Sequence, residues 1–196
     1  MEFIEEFILN YETVLFNPKF NGYGEIHTWI VENNQFFLVK KSPTDLMDAN
    51  LQYYGSSLKG ASKGARKILG SGSMAPIVVN IIQGVYWFPG KSPFQTDCLW
   101  FALHHIKDYD QLEKGKTRIS FMNGCTLDLN ISTYSFDGKV KNAYLLKGKV
   151  EDRANDTTLR ISESSAIYHF KKDDQDINYY FDEYMNNTDS FSYYTY

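Results

Sequence analysis

Short runs of β-branched and aromatic residues, separated by glycine, proline, asparagine or aspartate, recur along the first two thirds of this sequence. Such runs are typical of strands, because their side chains pack well on a pleated surface. We predict eight strands, at residues 13–16, 25–31, 35–40, 76–79, 84–88, 98–103, 118–122 and 125–129. The pattern therefore indicates a β-rich domain with mainly antiparallel pairing.

The turn around Asn123-Gly124 can be predicted in more detail, because the register of a hairpin decides which side chains share a face. A two-residue loop would place Phe121 opposite Thr126, which mixes apolar and polar positions. A three-residue loop with a left-handed Gly124 instead pairs Phe121 with Cys125 and keeps one face apolar. We predict the three-residue loop, and a tighter turn at Asn33-Asn34.

One central segment, Ser56 to Leu69, breaks the strand pattern: it opens with hydroxyl residues suited to an N-cap and continues with lysine, alanine and arginine. We predict a short basic helix there, although Gly60 and Gly64 each disfavour it by about 1 kcal/mol relative to alanine. A second helix is predicted from Asp174 to Met185, and residues 186–196 lack periodicity and are expected to be frayed or disordered.

The sequence contains no fixed-period repeat and no linker rich in glycine, serine or proline. We therefore expect an α+β fold with a single β-rich domain over residues 1–172, followed by an acidic C-terminal helix and tail over residues 173–196.

The net charge of −4 argues against a nucleic-acid ligand, but the charge is unevenly distributed. Residues 1–50 and 154–196 each contain 3 basic and 8 acidic side chains, whereas residues 51–153 contain 14 basic and 8 acidic ones. Residues 51–71 hold four basic groups and no acidic one. An anionic ligand is therefore expected to bind in the middle of the chain.

The location in the cell follows from what the sequence lacks. The first residues have no basic segment or cleavage site typical of a secretory signal, and the apolar stretches are shorter than the roughly 20 residues that cross a bilayer. The two cysteines, Cys98 and Cys125, are expected to be free thiols in a reducing compartment. We expect a soluble cytoplasmic protein with no membrane partner.

Three potential chemical sites are rejected on spacing. The segment Gly60 to Lys67 lacks the glycine spacing and the Gly-Lys-Ser/Thr ending of a phosphate loop. His104 and His105 would point to opposite faces of a strand, which does not suit a metal site. Ser56 and Ser57 do not lie in a hydrolase elbow, and no catalytic triad is apparent. We therefore expect no enzymatic activity, no cofactor and no metal.

Two further groups of residues have both a functional and a structural interpretation. Tyr53 and Tyr54 could stack on bases or lie at a subunit contact, but core packing is the simpler interpretation. Lys139, Lys141, Lys147 and Lys149 alternate in sequence and could share one face of a strand, or they could simply be solvated.

Several short motifs occur in a fixed order along much of the chain. They are Tyr53-Tyr54-Gly55-Ser56-Ser57 with Gly60, then Ala75-Pro76-Ile77-Val78-Val79, Phe88-Pro89, Ser92, Cys98-x-Trp100 and His105, and finally Phe121-x-Asn123-Gly124, Leu129-x-Ile131-Ser132 and Ser135-Phe136. In this order they resemble segments of the bacterial competence transcription factor family, ComK. The resemblance extends over roughly residues 48–185.

The resemblance implies a transcription activator that binds AT-rich promoter boxes as a dimer or larger oligomer, largely through the minor groove, and turns on DNA-uptake genes. Such proteins use lysine, arginine, asparagine and glutamine in the narrow, negative A·T groove. From local charge we predict DNA contacts by Lys59, Lys63, Arg66 and Lys67, with Arg118, Lys139 and Lys141 as further candidates.

The sequence departs from the family pattern at two places. An Arg-Lys pair that is familiar in relatives after the shared glycine is replaced by Ala61-Ser62-Lys63, and Arg66-Lys67 could take its place. The resemblance also implies a protease adaptor as a partner, but the corresponding segment, residues 166–170, is less apolar than in relatives.

We therefore predict a DNA-binding regulator with double-stranded AT-rich DNA and RNA polymerase as partners, whose acidic ends limit non-specific binding, contact the transcription machinery or simply keep the protein soluble. The alternative is a protein-interaction module of a regulatory complex with no DNA contact, which the net charge of −4 would suit.

Overall fold

The computed structural model describes residues 3–70, 74–162, 168–172 and 179–183, with side chains as far as residue 156. The chain forms two compact units, residues 1–152 and 153–196, each considered by itself below. The predicted division at residue 172 stays a prediction.

The described residues contain three α-helices and twelve strands. The helices are α1 (Pro43–Tyr53), α2 (Leu58–Leu69) and α3 (Thr133–Ser162). The strands are β1 (Phe3–Ile4), β2 (Thr13–Phe20), β3 (Ile26–Glu32), β4 (Gln35–Val39), β5 (Ile77–Asn80), β6 (Val85–Pro89), β7 (Trp100–Ala102), β8 (Ile106–Glu113), β9 (Lys116–Phe121), β10 (Thr126–Leu129), β11 (Tyr168–Lys172) and β12 (Tyr179–Glu183). All eight predicted strands overlap with observed ones.

A seven-stranded sheet forms the centre of the first unit, with the strand order β1-β4-β3-β2-β7-β6-β5. Every pair in it is antiparallel except β1 with β4, and a second sheet in this unit, β10-β9-β8, is antiparallel throughout. The prediction of an α+β, mainly antiparallel fold is confirmed.

Both faces of the large sheet are covered by other elements. Successive side chains of β6 and β7 point alternately into the two cores that result. Trp87 and Trp100 face a core that includes α1, whereas Phe88 and Phe101 face a core shared with the three-stranded sheet and α3. Because successive strand residues point to opposite sides, such strands carry apolar residues at every position. All five residues of β6 are accordingly buried.

Helix α1 was not predicted, although its start has a clear sequence signal. Ser42 is the N-cap, Pro43 begins the helix, and the Ser42 hydroxyl accepts a hydrogen bond from the Asp45 N–H at 3.2 Å. Inside the helix, the buried Asn50 side chain accepts from the Leu9 N–H at 2.7 Å and donates to the Phe7 carbonyl at 3.0 Å. These bonds tie the segment before β2 to α1.

The region of the alternating lysines is helical, so the strand interpretation of that region is wrong. In α3, Phe136, Val140, Ala143 and Val150 are all buried in the core, at the spacing of one helix face. Residues two apart on a helix differ in direction by about 200°. The alternating lysines therefore do not share a face.

The hairpin between β9 and β10 has the predicted three-residue loop. Ile119 lies opposite Leu127, the Phe121 N–H donates to the Cys125 carbonyl at 2.9 Å, and Gly124 is left-handed with φ of 85°. The turn after Glu32 is also confirmed, because Glu32 pairs directly with Gln35.

In the second unit, the expected helix over residues 174–185 is not observed, because residues 179–183 form strand β12, which pairs with β11 in antiparallel register. The aromatic run Tyr179-Tyr180-Phe181 favours a strand, and this preference outweighs the helical pattern. The expected disordered tail lies outside the described residues. So do residues 166 and 167 of the expected adaptor segment, whose other residues belong to β11.

Both cysteines are free thiols, and Cys98 is fully buried, which raises its pKa to about 11. His104 and His105 follow β7 in a short 3-10 turn rather than a strand, and the Nε2 atoms of both rings lie within 2.8 Å of the Tyr11 carbonyl oxygen. Within the described ranges, no helix is long and apolar enough to span a membrane.

We predict that His104 makes the fold sensitive to acid. Burial lowers the pKa of His104 below its ordinary value of 6.5, so the fold favours the neutral ring. Unfolded chains then bind the proton more readily, and stability is lost as the pH falls from about 6.5 through the folded pKa. Urea unfolding at pH 7.5 and 5.5 should reveal a smaller pH-dependent loss for His104→Gln than for the wild type. Equal losses would contradict this assignment.

Candidate nucleic-acid interface

Helix α2 is well defined at both ends. The Ser57 hydroxyl accepts a hydrogen bond from the Gly60 N–H at 3.1 Å, and the Asp48 carboxylate of α1 accepts from the Leu58 N–H at 2.7 Å. At the other end, Gly70 is left-handed with φ of 82° and its N–H bonds to the Arg66 carbonyl. These caps satisfy backbone groups that a helix end leaves without partners. The predicted helix is confirmed and is unbroken at both glycines.

The buried face of α2 closes one edge of the large sheet. Leu58 packs into the core on the α1 side, while Ala65 packs into the core on the α3 side. The helix packs against β5, the last strand in the sheet order. Since α2 contributes to the cores on both sides of the sheet, its orientation about its own axis is fixed.

The opposite face of α2 is exposed and basic. Lys59, Lys63, Arg66 and Lys67 are all exposed, as are the two glycines between them. Positions 59, 63, 66 and 67 follow the helical spacing of three to four residues, so the four cations form one stripe. The structure thus brings together the four main predicted contacts. We call this surface the basic face of α2.

None of these four cations forms an ion pair with any carboxylate in the part of the chain that the structure describes. Arg66 donates from Nε to the Ser62 carbonyl of its own helix at 3.2 Å, which leaves its other nitrogens outside that bond. Four positive charges are therefore exposed, and no carboxylate among the described residues pairs with them. Such a surface is suited to a phosphate backbone.

The glycines leave part of the basic face without side chains. A Cβ atom built on Gly64 would have no neighbour within 4 Å, so internal packing does not require glycine at this position. A helix without side chains at two successive turns lets another backbone approach closely. This property is useful if the surface binds a polymer.

Lys149 of α3 lies near the C-terminal end of α2, and Lys139 of α3 lies beside Met74, which precedes β5. The Lys149 Nζ donates to the Ile68 carbonyl at 3.1 Å, where the helix dipole favours a cation. The Lys139 Nζ lies 3.2 Å from the Met74 sulfur, and burial lowers the pKa of Lys139. Lys149 was not among the predicted contacts, and only the fold reveals its proximity to α2.

The other two candidates are engaged with carboxylates. Arg118 on β9 forms two hydrogen bonds, of 2.7 and 2.8 Å, with Asp128 on β10, and this guanidinium lowers the pKa of Asp128. The Nζ atom of Lys141 on α3 lies 2.7 Å from the Oδ2 atom of Asp137. A phosphate would have to compete with a carboxylate at either position, unlike on the basic face of α2.

The two tyrosines before α2, Tyr53 and Tyr54, differ in their exposure to solvent. Tyr53 is exposed, whereas Tyr54 is partly buried and its hydroxyl donates to the Leu9 carbonyl at 3.3 Å.

Among the residues whose side chains are described, no group of three or more histidine, cysteine or acidic residues could hold a metal ion.

Comparison with known proteins gave two matches. The model of the ComK protein family matches residues 4–155. The competence transcription factor of Bacillus subtilis (strain 168) is 29% identical over 150 residues, which cover 76% of this chain and 78% of that protein. No solved structure matches the chain.

We predict that Gly64→Ala stabilises the protein by about 0.5–1 kcal/mol, because the position is helical and has open space for a methyl group. Gly70→Ala is the matched control and should lower stability by about 1 kcal/mol, because its positive φ strains any residue with a Cβ. Thermal or urea unfolding measures both. Destabilisation by Gly64→Ala would mean that internal packing does require this glycine.

Proposed function

This chain belongs to the ComK family, and from this premise we propose that it activates transcription of competence genes by binding AT-rich duplex DNA through the basic face of α2. The observation that carries the proposal is the exposed stripe formed by Lys59, Lys63, Arg66 and Lys67, which has no internal ion pair within the described residues.

The energetic argument rests on counterion release. A lysine or arginine that contacts a phosphate displaces a condensed cation from the duplex, and this gain supplies most of the affinity of non-specific binding. A cation already paired with a carboxylate must give up that partner first. Among the described residues, the basic face of α2 has no carboxylate partner to give up, whereas Arg118 and Lys141 each have one. We therefore place α2 at the centre of the interface and these two residues at its margin or outside it.

Groove dimensions favour contact by side chains rather than insertion of the helix. An α-helix with its side chains is about 10–12 Å across, and the minor groove is about 6 Å wide. The proposed complex therefore has α2 lying over the phosphates, with lysine and arginine side chains reaching into the narrow, strongly negative groove of A·T sequences.

The charge distribution favours binding by more than one copy. A single chain offers one small basic face, while its residues 1–50 and 154–196 each contain 3 basic and 8 acidic side chains. We propose a dimer or larger oligomer on promoter DNA, where several modest contacts add up to high avidity. RNA polymerase is the proposed partner in activation, and a protease adaptor is a further proposed partner. The proposed location is the cytoplasm, on the nucleoid.

A protein-interaction module without DNA contact is the second candidate function, and the net charge of −4 is the observation that favours it. The two candidates differ in one measurable property, since only the first predicts salt-sensitive binding to duplex DNA.

We predict that the double variant Lys63→Ala/Lys67→Ala binds AT-rich duplex more weakly and reduces the slope of log affinity against log salt by about 2. Alanine favours a helix, so the fold should persist. The matched control is Lys107→Ala/Lys114→Ala, which removes two exposed lysines from β8 and its turn and should retain the wild-type slope. Fluorescence anisotropy over a salt series measures both. Equal slopes for the two double variants would remove α2 from the interface.

We also predict that the protein reads the minor groove, which a base substitution can test. Inosine·cytosine pairs lack the guanine N2 amino group and so present a minor groove like that of A·T, but a major groove like that of G·C. Duplexes with I·C in place of A·T should therefore bind like the AT-rich duplex. Binding at the level of the G·C duplex would assign recognition to the major groove, and no binding to any duplex would favour the protein-interaction module.

A further inference from the structure

The hairpin of β5 and β6 has an apolar tip that internal packing does not explain. Ile82 is 97% exposed and Ile81 is 47% exposed, in a turn where polar residues are usual. Among the large apolar side chains that the structure describes, Ile82 is the most exposed. Fully burying such a side chain releases substantial free energy, so the tip is suited to insertion into a partner.

The turn holds Ile82 on a fixed backbone. The Gly84 N–H donates to the Ile81 carbonyl at 3.1 Å, and the Gln83 N–H donates to the Asn80 Oδ1 atom at 3.1 Å. Directly behind the tip, β6 is buried at every residue. A wedge that must separate stacked bases needs this kind of rigid support, because a flexible loop would bend first.

The pairing of β5 with β6 is irregular next to the turn. Val78 lies opposite Tyr86, but Asn80 lies opposite Val85, so β5 contains one extra residue at this point. A β-bulge of this kind bends the strand and redirects the residues that follow, and bulges are frequent beside functional sites.

The position and charge of the tip indicate its partner. β5 is the edge strand against which α2 packs, so the hairpin and α2, the helix that carries the basic face, are neighbours at the same edge of the sheet. The sequence has no acidic residue between Asp48 and Asp97, a stretch that includes both α2 and the hairpin. A polyanion that contacts α2 would meet no carboxylate from this stretch at the tip.

We propose that Ile82, supported by Ile81, is an apolar wedge that inserts between base pairs of the bound duplex from the minor groove and kinks the DNA. Proteins that bind the minor groove use isoleucine among other apolar residues in this way, and pyrimidine–purine steps such as TA unstack most easily. The exposed Gln83 beside the wedge offers an amide of the kind that reads A·T edges. This inference rests on the proposed function.

The test measures affinity, bending and base stacking on one AT-rich duplex that contains a central TA step. Dyes at the two duplex ends report bending by energy transfer, and 2-aminopurine at the TA step brightens when its base is unstacked. The wild type should bend the duplex and brighten the probe. Ile82→Ser should lower the affinity about tenfold and abolish both signals, and its salt slope should stay unchanged because no phosphate contact is lost.

Two controls keep the outcome interpretable. Ile82→Leu retains an apolar wedge and should keep both signals, while Tyr23→Ser removes a 93% exposed side chain from the β2–β3 turn and should behave as the wild type. If Ile82→Ser binds and bends like the wild type while Lys63→Ala/Lys67→Ala loses affinity, the wedge is overturned and DNA binding by α2 stands. If the wild type binds no duplex, both proposals are overturned.

Discussion

The edge of the large sheet at β5 is the constraint on which the candidate interface depends. An unpaired edge strand exposes hydrogen-bonding groups and invites aggregation, so folds cover or blunt such edges. Here α2 packs against β5, with Leu58 in one core and Ala65 in the other. Because both contacts fix the rotation of the helix, the four cations on its other face must point outward. The packing that protects the sheet thus also creates the basic surface.

Under the proposed function, this arrangement explains how a chain with a net charge of −4 can bind DNA. Average charge describes solubility and long-range repulsion, whereas binding depends on the charges that meet the phosphates. On the second sheet and on α3, Arg118 and Lys141 are paired with Asp128 and Asp137, so each of these two cations has a carboxylate partner. On α2, by contrast, four exposed cations lie on one helix face, and none of them forms an ion pair within the described residues. Acidic regions elsewhere would then weaken non-specific binding while leaving this contact intact.

The elements with one strong local signal in the sequence are predicted correctly. The elements whose local signals conflict with one another are not. Ser56 and Ser57 ahead of alternating lysine and alanine predicted α2, and the apolar register around Gly124 predicted a hairpin that also places Arg118 opposite Asp128. The alternating lysines of α3 favour a strand, whereas the spacing of Phe136, Val140 and Ala143 is helical, and the burial of these apolar residues in the core decides for the helix. The proximity of Lys149 to α2 arises only from packing between distant segments, so local pattern could not reveal it.

Lysine footprinting tests the central claim most directly, because it needs no amino-acid substitution. The protein is acetylated with and without AT-rich duplex, and mass spectrometry measures the reactivity of each lysine. The account predicts that Lys59, Lys63 and Lys67 lose reactivity when duplex is present, while the exposed Lys107 and Lys114 keep theirs. Undiminished reactivity of the α2 lysines, with protection at another surface, would contradict it.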